Sequence, residues 1–385
     1  MSAHEVPVGL VEARVADPFP YYAWLREWSP VHREVTSRGT VVWQVTRYDD
    51  VRALLGDDRL GKCPGAGRVS GPEGLQRNLV HCDPPDHTRL RRMVNKAFTP
   101  ARVAALEPLV EKTARELADR LPERCDLIAS FAGPLAFGMI KTVLGVPADL
   151  ETPGLRRLLI DSLAGGADVT ARLHGFLTDL LAAKRERGPV SDTDLLSVLI
   201  AAGDLSEEEL LGTAYILLLV GHDTTVNLIG NGMVALLDHP GQMARLHEDP
   251  ALAVEELLRY DAPVRTATYR RAAAPIHLER GTIPAGDVVN LVIASANRDP
   301  AHFDRPDDLD LARDPNDHLS LGRGRHFCVG AALARMEARI AFPILLDRLG
   351  DARLDVPRAA LPWRAAPVMR GLESLPVSAS CGRRR

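Results

Sequence analysis

A mainly α-helical protein with small β-sheets is the fold class that the sequence predicts, on three observations. Ser206-Glu-Glu-Glu209 is a capping box, in which serine and the third glutamate satisfy free N–H groups at a helix start. It opens an apolar run to about Leu237, which His239-Pro240 ends. Proline-marked starts at Pro84-Pro85, Thr99-Pro100 and Asp249-Pro250 precede further helical segments. Strand character, from β-branched and aromatic residues, is confined to short runs within residues 41–46, 262–295 and 369–377. The chain has 385 residues, 46% of them hydrophobic, ample for a sizeable core. Residues 1–385 are read as one large domain.

From the N-terminus, residues 17–34 read as a turn followed by a short amphipathic helix, and Val41–Thr46 as a strand. Residues 61–80, rich in Gly, Pro and polar side chains, read as a long loop of the kind that is often functional. After Asp83-Pro-Pro, His87 and Arg91 fall four apart on one helical face. That pair suits either an anionic partner or solvent, since Arg89, Arg92 and Lys96 lie close by. Beyond Thr99-Pro100, Val103, Leu106, Leu109, Val110 and Leu117 form the buried stripe of a further helix.

Gly221-His-Asp-Thr-Thr225 sits inside the long apolar helix. Glycine there costs about 1 kcal/mol against alanine, and threonine hydroxyls bond back to carbonyls one turn earlier and bend the helix. A local kink accounts for the glycine and threonine alone. It does not account for Asp223, because a buried acid is costly without a purpose. Glu256 and Arg259 form an i,i+3 pair, which at a surface contributes only a few tenths of a kcal/mol. Strand-like runs follow up to Ala273, at Pro275–Glu279 and at Val288–Ile293, with a turn at Arg280-Gly281.

The most informative stretch is His318-Leu-Ser-Leu-Gly-Arg-Gly-Arg-His-Phe-Cys328-Val-Gly330, which runs into a helix. Gly322 and Gly324 permit backbone angles that other residues resist. The helix start beside Cys328 favours thiolate over thiol. One thiolate without a second cysteine does not suit zinc or an iron–sulfur cluster, whereas it suits haem. A lone cysteine at a helix start is ordinarily structural; the Gly-x-Gly-x-His-x-Cys-x-Gly spacing reverses that.

Gly322, Gly324, His326, Cys328 and Gly330 resemble the haem-binding loop of the cytochrome P450 family, and the resemblance extends over nearly the whole chain. Leu321 stands where the family has Phe, and Val220 where it usually has alanine. The resemblance implies the P450 fold, an α-rich domain plus a smaller β-rich region around a buried haem b. Cys328 would be the metal ligand, with Thr224 binding dioxygen and Asp223 delivering protons. His87, Arg91, Arg270 and His326 would anchor the propionates, with Arg271 the rival of Arg270, and Gly221 and Gly330 would adjoin the cofactor. Glu256, Arg259 and Arg313 would hold the scaffold. The 61–80 loop would cover the substrate. Residues 148–180 are short for the family's lid, which implies that part of the lid is missing.

The implied activity is a monooxygenase acting on a mid-sized apolar polyketide, peptide or terpenoid, in the manner of actinomycete relatives that tailor such compounds. No flavin or NAD fingerprint follows the haem region, so electrons would come from a ferredoxin and its NAD(P)H reductase. Arg92, Arg323 and Arg325 read equally as a docking patch for it or as solvated charges. A peroxide-driven haem-thiolate enzyme and a non-catalytic haem-binding protein are the alternatives. A net charge of −4 excludes general nucleic-acid binding. Five scattered cysteines imply no disulfide framework and fit a reducing cytoplasm. Neither a signal peptide nor a spanning segment is visible. The expected protein is a soluble monomer with a disordered tail at 383–385.

Overall fold

Ser206 starts the helix around which the other helices pack. Its hydroxyl accepts from the Glu209 N–H at 3.2 Å, and the Glu209 carboxylate accepts from the Ser206 N–H at 3.0 Å. Two donors that no helical carbonyl can reach are thereby satisfied. The central helix, Glu207–Asp238, is 32 residues long. From Leu210 to Leu236 every residue is buried except Leu219, Val220, Gly221 and Thr224. A helix buried all round belongs to a core. Its four open positions, clustered in the middle, mark where it borders a hollow. The computed structural model describes residues 5–36, 39–62, 73–152, 154–164, 166–191 and 194–379.

Helices Gly133–Leu144, Pro250–Tyr260 and Ala331–Leu349 pack on the central helix. The strands are β1 (Val31–Val35), β2 (Val41–Val45), β3 (Leu60–Lys62), β4 (Arg124–Asp126), β5 (Arg270–Ala272), β6 (Ile276–Leu278), β7 (Gly281–Ile283), β8 (Val288–Leu291), β9 (Arg353–Leu354) and β10 (Pro376–Ser378). A five-stranded sheet runs β1-β2-β8-β5-β3, parallel only between β2 and β8. Strands β4-β10-β9 and β6-β7 form two smaller sheets. Val45, Leu60, Val289 and Leu291 give the large sheet its own core beside the helical one.

Several boundaries differ from the sequence reading. The helix expected within residues 17–34 spans Phe19–Trp28, and Val31–Val35 pairs with β2 as a strand. Pro30 accounts for this, since it disfavours helical angles at the residue before it. The segment after Thr99 is two helices, Pro100–Ala104 and Glu107–Asp119. Pro108 would break or kink a helix interior but is tolerated in a first turn. Strand β8 ends at Leu291, and Ile293–Ala296 is a short helix. Of the loop expected at 61–80, Gly61 and Lys62 belong to β3 and Glu73–Gln76 is a 3₁₀ turn. Residues 63–72 and the 383–385 tail lie outside the described residues.

The missing lid is also corrected. Residues 148–187 carry helices Leu155–Ala164 and Ala167–Arg187, of 10 and 21 residues. What is short is the connection between them. No described helix is long and apolar enough to cross a membrane.

Candidate active site

Gly322 and Gly324 adopt φ of +73° and +71°, in the left-handed region that favours glycine. A Cβ on Gly324 would also stand 3.3 Å from the Gly56 Cα. The turns they make bring the Cys328 N–H to the Leu321 carbonyl at 2.9 Å and the Phe327 N–H to the Gly324 carbonyl at 3.0 Å. Leu321 thus fixes the cysteine through its backbone, a contact indifferent to the side chain. Gly330 has open space where a Cβ would stand. Burial, and then Arg91 close by, push the His87 imidazole toward the neutral form. Arg91 Nη1 also donates to the Phe327 carbonyl at 2.6 Å and its Nε to Asn95 Oδ1 at 3.0 Å, which steadies the cysteine loop.

Burial pushes the Cys328 thiol up, against the Gly330 N–H, Arg91 and Arg335, which draw it down. The helix start alone therefore does not make Cys328 a thiolate. A bound metal ion does, because coordination deprotonates a thiol outright. Arg335 is held by Glu255 through bonds of 2.6 Å to each carboxylate oxygen.

Several buried donors converge with no anion of their own among the described residues. His87 and Arg270 are each 2% exposed. The rings of His87 and His326 lie 4.2 Å apart between centroids. Nε2 of both histidines, and Nε and Nη1 of Arg270, have no hydrogen-bond partner among the described residues. Arg271 points outward and donates to the Gly286 carbonyl, so Arg270 is the inward arginine. Arg325 pairs with the exposed Asp58 and lies 3.7 Å from Asp83 Oδ1. Arg92 and Arg323 remain exposed.

Lys62, which the sequence reading missed, joins this cluster from β3. Its Nζ bonds to Thr268 Oγ1 at 2.8 Å. Burial and then Arg270 push its ammonium down to about 7, and burial pushes His326 down to about 2. Each buried donor left without an acceptor costs about 1–3 kcal/mol. The group that belongs here carries acceptors, and carboxylates suit it. A haem, with iron for Cys328 and propionates for these donors, fits the residues present.

On the central helix, Thr224 Oγ1 donates to the Val220 carbonyl at 2.6 Å. Its neighbour Asp223 turns to the other side. Asp223 is 3% exposed and pairs with Arg364 at 2.8 Å, while Asn227 Nδ2 donates to its second oxygen at 3.3 Å. The purpose of the buried acid is thus an ion pair to a residue near the C-terminus that no motif announces. A Cβ at Gly221 would stand 2.7 Å from Ile140 Cδ1, so glycine there also lets helix Gly133–Leu144 approach.

The Cytochrome P450 family model matches residues 251–350. "Cytochrome P450 monooxygenase PikC" of Streptomyces venezuelae is 43% identical, over 96% of this chain and 92% of that protein. The chain belongs to the cytochrome P450 family. "Vitamin D(3) 25-hydroxylase" of Pseudonocardia autotrophica is 41% identical over 94% of each chain. The structure of the tirandamycin C-bound P450 monooxygenase TamI superposes with a TM-score of 0.87 at 37% identity, covering 96% of this chain and 99% of that one. The protein is a P450 monooxygenase with the P450 fold, and the family implies a haem-iron cofactor.

One buried acid in this P450 lies outside the sequence reading. Thr225 Oγ1 donates to Glu337 Oε2 at 2.9 Å, and burial pushes the Glu337 carboxyl from 4.5 up to about 8. The folded chain keeps a proton that the unfolded chain releases, so stability falls as pH rises from 4.5 and levels off near 8. Glu337→Gln is expected to flatten that fall in urea unfolding across the same range. Parallel curves for parent and variant would contradict it.

Proposed function

We propose that this P450 inserts one atom of O2 into a C–H or C=C bond of a mid-sized, largely apolar natural product such as a polyketide, peptide or terpenoid. It works as a monomer of one domain, in the cytoplasm, with haem b, and takes electrons from a separate ferredoxin and its NAD(P)H reductase. The observation that carries this reading is the open face of the central helix. There Leu219, Val220 and Gly221 offer apolar surface and Thr224 one hydroxyl, in a helix otherwise buried. A relative named as a hydroxylase and a tirandamycin-bound neighbour support the reaction and the substrate class.

When bound, haem supplies the oxygen and electron chemistry, and a thiolate ligand favours O–O cleavage. The chain does the rest. The carbonyl of Leu321 and the N–H of Gly330 hold Cys328 in place. Thr224 keeps its proton on the Val220 carbonyl and donates it into the hollow by rotating away. Asp223, positioned by Arg364, resupplies protons from the helix's far side. The extra bulk of Val220 narrows the space next to Thr224. The test is aerobic turnover of a polyketide, peptide and terpenoid panel with ferredoxin, reductase and isotopically labelled dioxygen. One labelled oxygen in a product is expected. Turnover with hydrogen peroxide but not with O2 and reductant would overturn the ferredoxin-driven reading.

A further inference from the structure

Strand register places two cations face to face. In the antiparallel pairing of β3 with β5, Lys62 lies directly opposite Arg270. Side chains of such partners share one face of the sheet with Cβ atoms about 4.5–5.5 Å apart, and like charges there are destabilising. Neither cation has an acid of its own. Among the described residues, Lys62 Nζ bonds to the Thr268 hydroxyl, and Arg270 leaves two buried nitrogens without a partner.

The nearby acid, Asp83, favours both cations, but burial outweighs it. From the 81–87 segment, Asp83 gives one oxygen to the Lys62 backbone N–H at 2.6 Å and the other faces Arg325 at 3.7 Å. The same segment offers His81 and His87, both pushed toward the neutral form by burial. The Cys82 thiol is pushed up to about 11 and stays uncharged. Lys62 and Arg270 thus face each other across the sheet with no anion paired to either among the described residues. A fold that keeps such a pair is built for two negative charges.

We propose that Lys62 is a cofactor-binding residue of this chain, its ammonium pairing with one haem carboxylate while Arg270 serves the other. The inference rests on the haem reading and adds to it a residue on a different strand, brought in by register alone. It also gives the site a cost in the empty protein: without the dianion, Lys62 and Arg270 repel each other across the sheet.

The test compares the parent with Lys62→Met and Lys62→Arg. Haem transfer to excess apomyoglobin is expected to be about 10-fold faster or more from Lys62→Met, the loss of a charge-assisted bond, and to be restored toward the parent in Lys62→Arg. The haem-free protein is expected to melt higher as Lys62→Met than as parent, because a repulsion is removed. A lysine that only braced Thr268 would lower both, and that result overturns the proposal. Reconstitution with haem dimethyl ester, which lacks the carboxylates, is expected to abolish the difference between parent and Lys62→Met. A difference that persists with the ester overturns the proposal whether or not the haem-free chain folds. A parent that binds no haem would instead defeat the cofactor reading itself.

Discussion

Glu256→Gln is expected to leave the chain close to or beyond the limit of folding. The Glu256 carboxylate is fully buried and collects five donors. Arg259 reaches both its oxygens, at 2.7 and 2.8 Å, and Arg313 and Asn316 reach Oε2 at 3.1 Å. The Asp310 N–H donates to Oε1 at 3.0 Å. Arg259 is itself 0% exposed and also holds the carbonyls of Asn297, Pro306 and Asp308. Glutamine keeps the shape but removes the charge and turns one acceptor into a donor. Breaking a buried pair from one side costs about 3–5 kcal/mol, against a total stability of about 5–15 kcal/mol. Urea unfolding checks this, and Arg313→Met, which strips only one arm, gives a smaller shift if Glu256→Gln fails to accumulate. An unchanged midpoint for Glu256→Gln would refute it.

The second large effect is on turnover. Asp223→Asn is expected to lower kcat about 100-fold with little change in KM, the pattern of lost proton transfer and not of lost substrate binding. Arg364 keeps a neighbour in the asparagine oxygen, so the fold near the site is retained. What disappears is a group able to carry a proton. Steady-state turnover with ferredoxin and reductase, alongside peroxide release, measures it. Equal kcat for parent and variant would remove Asp223 from the proton path.

How legible this was in the sequence varied with the distance over which each feature is determined. Local chemistry read well: the Ser206–Glu209 box, the termination at His239-Pro240 and the Gly322/Gly324 turn each depend on a few adjacent residues. Helix and strand boundaries near prolines were harder, because Pro30 and Pro108 act on neighbours whose own preferences pointed elsewhere. Partners remote in the chain were invisible. Lys62 meets Arg270 only through sheet register, and Asp223 meets Arg364 only through the packing of the C-terminal segment. Arg91 and Gly221 carry packing roles that their spacing did not show: Arg91 also holds the cysteine loop, and Gly221 lets Ile140 approach.

The account turns on Cys328 as a thiolate ligand of haem iron, and the absorption spectrum of the reduced, carbon monoxide-bound protein tests that most directly. A strongly red-shifted Soret band is the predicted result, because thiolate ligation alters the haem electronically. A band at the position ordinary for imidazole-ligated haem would mean that burial keeps the Cys328 sulfur protonated or displaced from iron, and would contradict the account.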